Sequence, residues 1–188
     1  MSEGELSQRL DIGRTPIREA LQRLARERLV IILPRRGVIV SDINVNGQLR
    51  LLELRREVER LLARSAARRA TPELRARFEE IADKFEKSAR RNDDIAFMRV
   101  DRAFNELCLI AAGNEFTVSA MRLTQSLSRR FWYHHYQQTP DMPETAKLHA
   151  DIARAIAGGD EDGAATGADR LIDKIEAFTR ATVSNDFR

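Results

Sequence analysis

The chain has 188 residues, of which 43% are hydrophobic and 32% are charged, with a formal net charge of +3. This length allows one large or two small domains, and the apolar content is sufficient for a core. No apolar run approaches the length of a membrane span, so no membrane partner is expected. No signal-peptide pattern precedes Glu3, and the single cysteine, Cys108, cannot form an internal disulfide. Both features favour a reducing, cytoplasmic location.

The excess positive charge lies at the N-terminal end of the chain. Residues 1–40 hold eight arginines and five acidic residues, whereas residues 41–188 hold 24 charged residues of each sign. A local cationic excess of this kind is typical of a segment that contacts the phosphates of a nucleic acid.

The first predicted elements are two helices separated by a tight turn. Residues 2–10 read as a short helix with Ser2 as its cap, and residues 11–13 form the turn. Thr15 and Pro16 predict the start of a second helix, because threonine can cap a helix and proline is tolerated in the first turn. The arrangement is a helix-turn-helix.

The second helix is predicted to have a buried side and a cationic side. Its apolar residues recur at helical spacing and are Ile17, Ala20, Leu21 and Leu24. An amphipathic surface helix has the same pattern, but its outward N-terminus and cationic side also suit the major groove of DNA. Arg14 and Arg18 are the candidates for reading guanine. The residues expected at the DNA are Arg14, Thr15, Pro16, Arg18 and Arg23.

A β-hairpin is predicted directly after this helix, and it favours a DNA-binding helix over an ordinary amphipathic surface helix. Two β-branched runs, 30–33 and 38–40, flank the sequence Pro34-Arg35-Arg36-Gly37, which is typical of a turn. A helix-turn-helix followed by a hairpin with two cations at its tip is a winged helix. We expect Arg35, Arg36 and Gly37 to approach the DNA backbone or the minor groove.

Beyond the hairpin the sequence patterns predict only helices, bounded near residues 45–69, 71–92, 94–112, 115–138, 144–157 and 162–184. Arg55, Arg56 and Arg60 in the first of these are interpreted as part of a solvated face. The short connections predict an antiparallel bundle. The predicted fold is therefore mainly α, with a winged helix-turn-helix over residues 1–43 and an all-α bundle over residues 44–188.

The N-terminal part resembles the DNA-binding domain of the GntR family of bacterial transcription regulators. The resemblance rests on the run from Ile12 to Leu21, followed by Leu24, Leu29-Val30, Arg36-Gly37 and Val40. The sequence departs from the family at Gly13, where serine is usual, and the family's first helix has no counterpart before Ser2. The domain is therefore expected to be truncated at its N-terminus. The residues expected to lose cover are Leu6, Leu10 and Leu21.

The helical part resembles the FCD-type effector domain of the FadR subfamily. The marks are Asp101 to Asn105, Ala112 to Asn114, and His149 followed by Ile152, Ala155-Ile156 and Gly159-Asp160. The resemblance implies a homodimeric, ligand-responsive transcription regulator, expected to be a repressor, which binds double-stranded operator DNA and a small effector.

The resemblance also implies a metal site formed by one aspartate and three histidines. By position, Asp101 and His149 remain, Asn105 replaces one histidine, and Leu171 replaces another. Because leucine is no ligand, the set Asp101, Asn105 and His149 is incomplete and would hold a divalent metal such as Zn, Ni or Mn only weakly. The three polar residues could instead satisfy one another or bind an effector directly, and we favour the effector.

Typical effectors of similar proteins are organic and sugar acids, and Arg102, Arg129 or Arg130 could receive such an anion. Two alternatives remain at this point. One is a metal-dependent hydrolytic enzyme that uses Asp101 and His149, although no complete catalytic arrangement is present and no catalytic residue is assigned. The other is a ligand sensor that does not bind DNA.

Overall fold

A computed structural model of the chain describes residues 1–135 and 142–185, the last three of these by backbone only. The described elements, in chain order, are α1 (Glu3–Leu10), α2 (Arg14–Arg26), β1 (Val30–Leu33), β2 (Gly37–Val40), α3 (Val45–Arg69), α4 (Pro72–Arg91), α5 (Asp94–Ala112), α6 (Glu115–His135), α7 (Met142–Gly158) and α8 (Glu161–Asn185). The predicted winged helix-turn-helix and helical bundle are confirmed. The predicted end of α6 near residue 138 lies outside the described residues.

Helix α1 is capped by Ser2, as predicted, and the cap is a capping box with Glu5. The hydroxyl of Ser2 accepts a hydrogen bond from the backbone N–H of Glu5 at 3.2 Å, and the Glu5 carboxylate accepts one from the Ser2 N–H at 2.6 Å. The pair satisfies backbone donors that the first turn of a helix leaves without partners. Asp11, with a φ of 52°, ends the helix and turns the chain toward α2.

Helix α2 begins two residues earlier than predicted. Gly13 is its N-cap, and no side chain caps it, so the prediction that Thr15 caps the helix is wrong. Arg14 is the first helical residue, and Pro16 still lies in the first turn, where its missing N–H removes no helical hydrogen bond.

The winged helix has a small core, in which Ile17 and Leu21 of α2 are buried with Val38 of the hairpin. Leu21 is 7% exposed, so the prediction that it loses cover is wrong, whereas Leu10 is 55% exposed. In the hairpin β1 pairs antiparallel with β2, and Leu33 lies opposite Gly37. Gly37 has a φ of 98°, which the tight three-residue turn requires.

The six remaining helices form one bundle with a continuous hydrophobic core. Helix α3 packs against α8, and α4 packs against α7, while α5 contacts both α3 and α4. The core is dominated by aromatic and aliphatic side chains that are almost fully buried, including Phe78, Phe85, Leu107, Met121 and Ile156. No helix in the described ranges combines the length and apolarity needed to cross a membrane.

The prediction that the arginines of α3 lie on a solvated face is wrong, because these side chains contact other parts of the bundle. Arg60 pairs with Asp169 of α8 at 2.9 Å, and Arg56 pairs with Asp173 at 2.7 Å. The side chain of Arg55 is only 12% exposed. Spacing along one helix did not reveal that α8 carries acids opposite these positions.

Candidate functional site

The arginines predicted to contact DNA lie on the surface of the winged helix. The side chain of Arg18 is 61% exposed and that of Arg23 is 75% exposed. Arg14, Thr15 and Pro16, in the first turn of α2, are also exposed. The N-terminal half of α2 therefore presents a solvent-accessible cationic edge beside its buried residues, Ile17 and Leu21.

Arg18 is held by an ion pair that bridges the two helices of the helix-turn-helix. Its Nε lies 3.2 Å and 3.4 Å from the two carboxylate oxygens of Glu3, and its Nη2 lies 3.0 Å from Oε2. This hydrogen bonding raises the pKa of Arg18 above its usual value. Arg23 instead pairs with Glu27, the C-cap residue of its own helix, at 3.2 Å.

The tip of the wing is cationic and exposed, as predicted. Arg35 and Arg36 lie between the two strands, and both are exposed, whereas Gly37 is half-buried. Arg35 adopts a φ of 61° and Gly37 a φ of 98°. These left-handed conformations close the turn, and the two guanidinium groups lie exposed at its tip.

The helical bundle encloses a cavity of about 240 Å³ between α3, α5, α6, α7 and α8. Its wall is largely aromatic and aliphatic, with polar groups at a few positions. Pockets that bind drug-sized molecules commonly have volumes of about 300–1,000 Å³, so this cavity suits a smaller ligand. Asp101, Asn105 and His149, which the sequence singled out on two helices, all line it.

His149 is fixed within the cavity wall by three aromatic rings and two hydrogen-bonding groups. Its ring centroid lies 4.9 Å from that of Phe85, and two further phenylalanine rings contact its faces and edges. Nδ1 lies 2.8 Å from the carbonyl oxygen of Thr145, so Nδ1 carries a hydrogen. Nε2 faces Oδ1 of Asp101 at 3.3 Å.

Asn105 extends this polar network rather than completing a metal site. Its amide nitrogen donates to Oδ1 of Asp101 at 3.0 Å, and its amide oxygen accepts from Gln125 at 3.1 Å. The oxygen that would ligate a metal is therefore engaged elsewhere, and buried Leu171 supplies no ligand. Within the described residues, no group of three His, Cys, Asp or Glu side chains could hold a metal ion. The residues present do not fit the metal site that the resemblance implies.

A second polar cluster lines the cavity, and sequence reasoning missed it. Arg55 pairs with Glu59 at 2.6 Å and also donates to the hydroxyl of Ser128, which accepts a further bond from Gln48 at 3.0 Å. All four residues line the cavity. The i,i+4 spacing of Arg55 and Glu59 was visible in the sequence, but it is equally typical of an exposed helix face.

The three arginines predicted to receive an anion lie in different places. Arg102 and Arg129 line the cavity and are exposed to solvent. Arg130 does not line it, and its guanidinium instead binds Ser41 in the segment after β2. Consecutive helical positions point in different directions, and of these two neighbours Arg129 lines the cavity.

Cys108 lines the same cavity but is not a reactive thiol. It is 3% exposed. Burial raises the pKa of this thiol well above its usual range, and the nearby carboxylates of Glu59 and Asp101 raise it further. The thiol therefore stays protonated, and its role is to fill space in the wall.

Comparisons with known proteins identify both parts of the chain. Residues 1–40 match the family described as bacterial regulatory proteins, gntR family, and residues 50–174 match the FCD domain. The HTH-type transcriptional repressor RspR of Escherichia coli K12 is 24% identical over 184 residues, which cover 96% of this chain and 79% of that protein. The Nta operon transcriptional regulator of Aminobacter aminovorans is 26% identical over 187 residues, covering 100% of this chain and 82% of that protein.

A solved structure shows the same fold. Escherichia coli McbR/YncC superposes with a TM-score of 0.77 at 18% identity, and the match covers 97% of this chain and 87% of that one.

Proposed function

This chain belongs to the GntR family of bacterial regulatory proteins and carries an FCD effector domain, and from that premise we propose that it is a repressor released from operator DNA by a small carboxylate. It is a transcriptional regulator and not an enzyme, because the matching families and relatives are regulators. One relative is named a transcriptional repressor, which supports repression rather than activation.

The single observation that carries the proposal is the combination of an exposed cationic edge on α2 with a largely apolar cavity in the bundle that has a few polar groups in its wall. We assign the first function to residues 1–43 and the second to residues 44–188. Such a division allows a ligand to change DNA affinity if it favours one arrangement of the two parts over another.

In the proposed complex, α2 lies in the major groove. Arg14 and Arg18 read guanine, each contributing about 1–3 kcal/mol of discrimination, and Thr15 and Pro16 approach the groove with them. The remaining DNA contacts are to phosphates or the minor groove and come from Arg23, Arg35, Arg36 and Gly37.

A carboxylate effector is supported by the charges that line the cavity. The cationic side chains Arg55, Arg102 and Arg129 outnumber the acidic side chains Glu59 and Asp101 in its lining. Arg102 and Arg129 are exposed at the rim and can meet an incoming anion, while the polar network around His149 can hydrogen-bond the rest of the molecule.

The homodimer is supported by an apolar surface that α3 and α6 share. Leu54 and Leu61 are each 48% exposed, and Phe116 and Leu123 are 78% and 39% exposed. Each pair is separated by seven residues, so its members lie on one face of their helix. Because α3 packs against α6, and Leu54 and Leu123 line one groove, the four side chains form a common surface. A second copy of the chain would cover it.

The DNA-binding part of the proposal is tested with fluorescently labelled duplexes from the region upstream of the gene. We expect tight, sequence-dependent binding that falls steeply with salt, and a loss of about tenfold or more for Arg18→Ala. Arg99→Ala, which removes an exposed charge from the bundle, is the matched control. Unchanged affinity and sequence preference in Arg18→Ala would show that α2 does not recognise the base sequence of the operator.

The effector part is tested with a panel of small mono- and dicarboxylates against their uncharged amides. We expect at least one acid to raise the melting temperature and weaken DNA binding, and Arg129→Gln to weaken that acid's effect. If only amides or amines stabilise the protein, the carboxylate assignment is wrong.

A further inference from the structure

We propose that Glu3 is a positioning residue that holds the guanidinium of Arg18 in the orientation needed to read a guanine. The inference rests on the proposed function, in which α2 lies in the major groove. It concerns an acidic residue at a DNA-binding surface, where a carboxylate would otherwise be expected to weaken binding to phosphates.

The contact between the two residues uses only one edge of the guanidinium. Glu3 accepts hydrogen bonds from Nε and Nη2, at distances of 3.0–3.4 Å. The other edge, formed by Nη1 and the second hydrogen of Nη2, points away from Glu3. A guanine accepts two parallel hydrogen bonds through O6 and N7, and this second edge has the geometry to supply them. Reading the base therefore does not require the pair to break.

The pair also connects the two helices that must keep their relative position. Glu3 lies in the first turn of α1, and Arg18 lies one turn into α2. The partial positive charge at the N-terminus of a helix stabilises a carboxylate in the first turn, so α1 stabilises Glu3 in this position. A free arginine side chain loses much rotamer freedom when it binds a base. Ordering Arg18 beforehand lowers that cost for the correctly placed guanine.

The alternative role for Glu3 is simple competition with DNA for Arg18. The two roles predict opposite changes in sequence preference. If Glu3 competes, its removal strengthens binding to all sequences. If Glu3 positions Arg18, its removal weakens the preference for guanine at the position that Arg18 reads, even where overall affinity rises because a negative charge is lost.

The test is selection of duplexes by the 188-residue chain from a pool with a randomised core. The variants are wild type, Glu3→Gln, Arg18→Ala and the double variant. We expect Glu3→Gln to lower the guanine preference about tenfold at one position of each half-site, the same position at which Arg18→Ala abolishes it. The double variant should match Arg18→Ala, because Glu3 acts through Arg18.

Glu5→Gln is the matched control, since it removes one acid from the same turn while glutamine preserves the capping box. Its guanine preference should equal that of wild type. If Glu3→Gln and Glu5→Gln both keep the preference and bind all sequences more tightly, Glu3 is only a source of negative charge and the inference is overturned. If wild type selects no sequence, the proposed function itself fails. Thermal unfolding of each variant identifies any loss of folding.

Discussion

Arg130 of α6 donates two hydrogen bonds to Ser41, the residue that follows β2: Nη2 binds the carbonyl oxygen at 2.7 Å and Nη1 binds the hydroxyl oxygen at 3.1 Å. The Ser41 hydroxyl in turn donates to the carbonyl oxygen of Arg28, just beyond α2, at 2.6 Å. Ser128 and Phe131 on the same helix line the cavity. Helix α6 therefore contacts both the cavity and the segment that ends the winged helix.

We expect Arg130→Gln to reduce the response to effector while leaving DNA affinity without effector within about threefold of wild type. Coupling between two sites is commonly worth about 1–3 kcal/mol, and the substitution removes the contact that would transmit it. The measurement is operator affinity with and without the stabilising acid. Arg122→Gln, an exposed position on the same helix, is the control. An unchanged affinity ratio in Arg130→Gln would show that coupling takes another route.

Metal binding should require two substitutions. We expect Zn²⁺, Ni²⁺, Mn²⁺ and EDTA to leave the melting temperature of wild type unchanged, because Asn105 and Leu171 stand where the related site has histidines. Asn105→His with Leu171→His should gain stabilisation of about 3 kcal/mol at a metal concentration 100-fold above the dissociation constant. Equal metal stabilisation of wild type would contradict the assignment of a metal-free cavity.

Arg75 should contribute more to stability than another arginine of the same bundle, Arg154. Arg75 donates to the carbonyl oxygens of Ala67, Ala70 and Ala157 at 3.0–3.1 Å, which satisfies helix ends of both α3 and α7. We expect Arg75→Met to lower the free energy of unfolding by about 2–4 kcal/mol, measured in urea, because the carbonyls lose charged donors.

Arg154→Met is the comparison for that measurement. Arg154 pairs with three acids of α4, but its side chain is 41% exposed, so water and salt screen these pairs. We expect a smaller loss than for Arg75→Met. An equal or larger loss would mean that the number of charged contacts, rather than the satisfaction of helix ends, determines stability here.

Cys108 should make the protein less stable at alkaline pH. Because burial raises the pKa of the folded thiol, the unfolded chain releases the proton first. The free energy of unfolding then falls as pH rises above the ordinary thiol pKa of about 8.5 and is unaffected below it. We expect a steeper loss between pH 7.5 and 9.5 in wild type than in Cys108→Ala. Parallel pH profiles for the two proteins would rule this out.

The surface shared by α3 and α6 should control oligomeric state. We expect Phe116→Asp or Leu123→Asp to convert a dimer to monomers in sedimentation experiments, because an aspartate buried at an apolar interface lacks a partner. Ile95→Asp, which changes an exposed isoleucine at the start of α5, is the control and should remain dimeric. A monomeric wild type would refute the assignment of this surface.

Local patterns were sufficient to predict the elements and their order. The two β-branched runs and the turn residues around Pro34 identified the hairpin, and the helical spacing of Ile17 and Leu21 identified the buried side of α2. Gly113 marked the end of α5. These features depend on neighbouring residues and on backbone preferences, which the sequence contains directly. The convergence of Asp101 and His149 was also predictable, because each shares a helix face with apolar residues.

Long-range partners were decided only by tertiary structure. Arg55 looked like a solvated charge until α6 placed Ser128 against it, and Arg130 looked like an effector ligand until its direction assigned it to Ser41. Whether a charged side chain is exposed, paired or directed into a cavity depends on which helix packs opposite it. The two partners of such a contact come from different segments of the chain, as Glu3 and Arg18 do, and Arg55 and Ser128. The sequence determined the elements and their buried faces, and packing determined the partners of the charges.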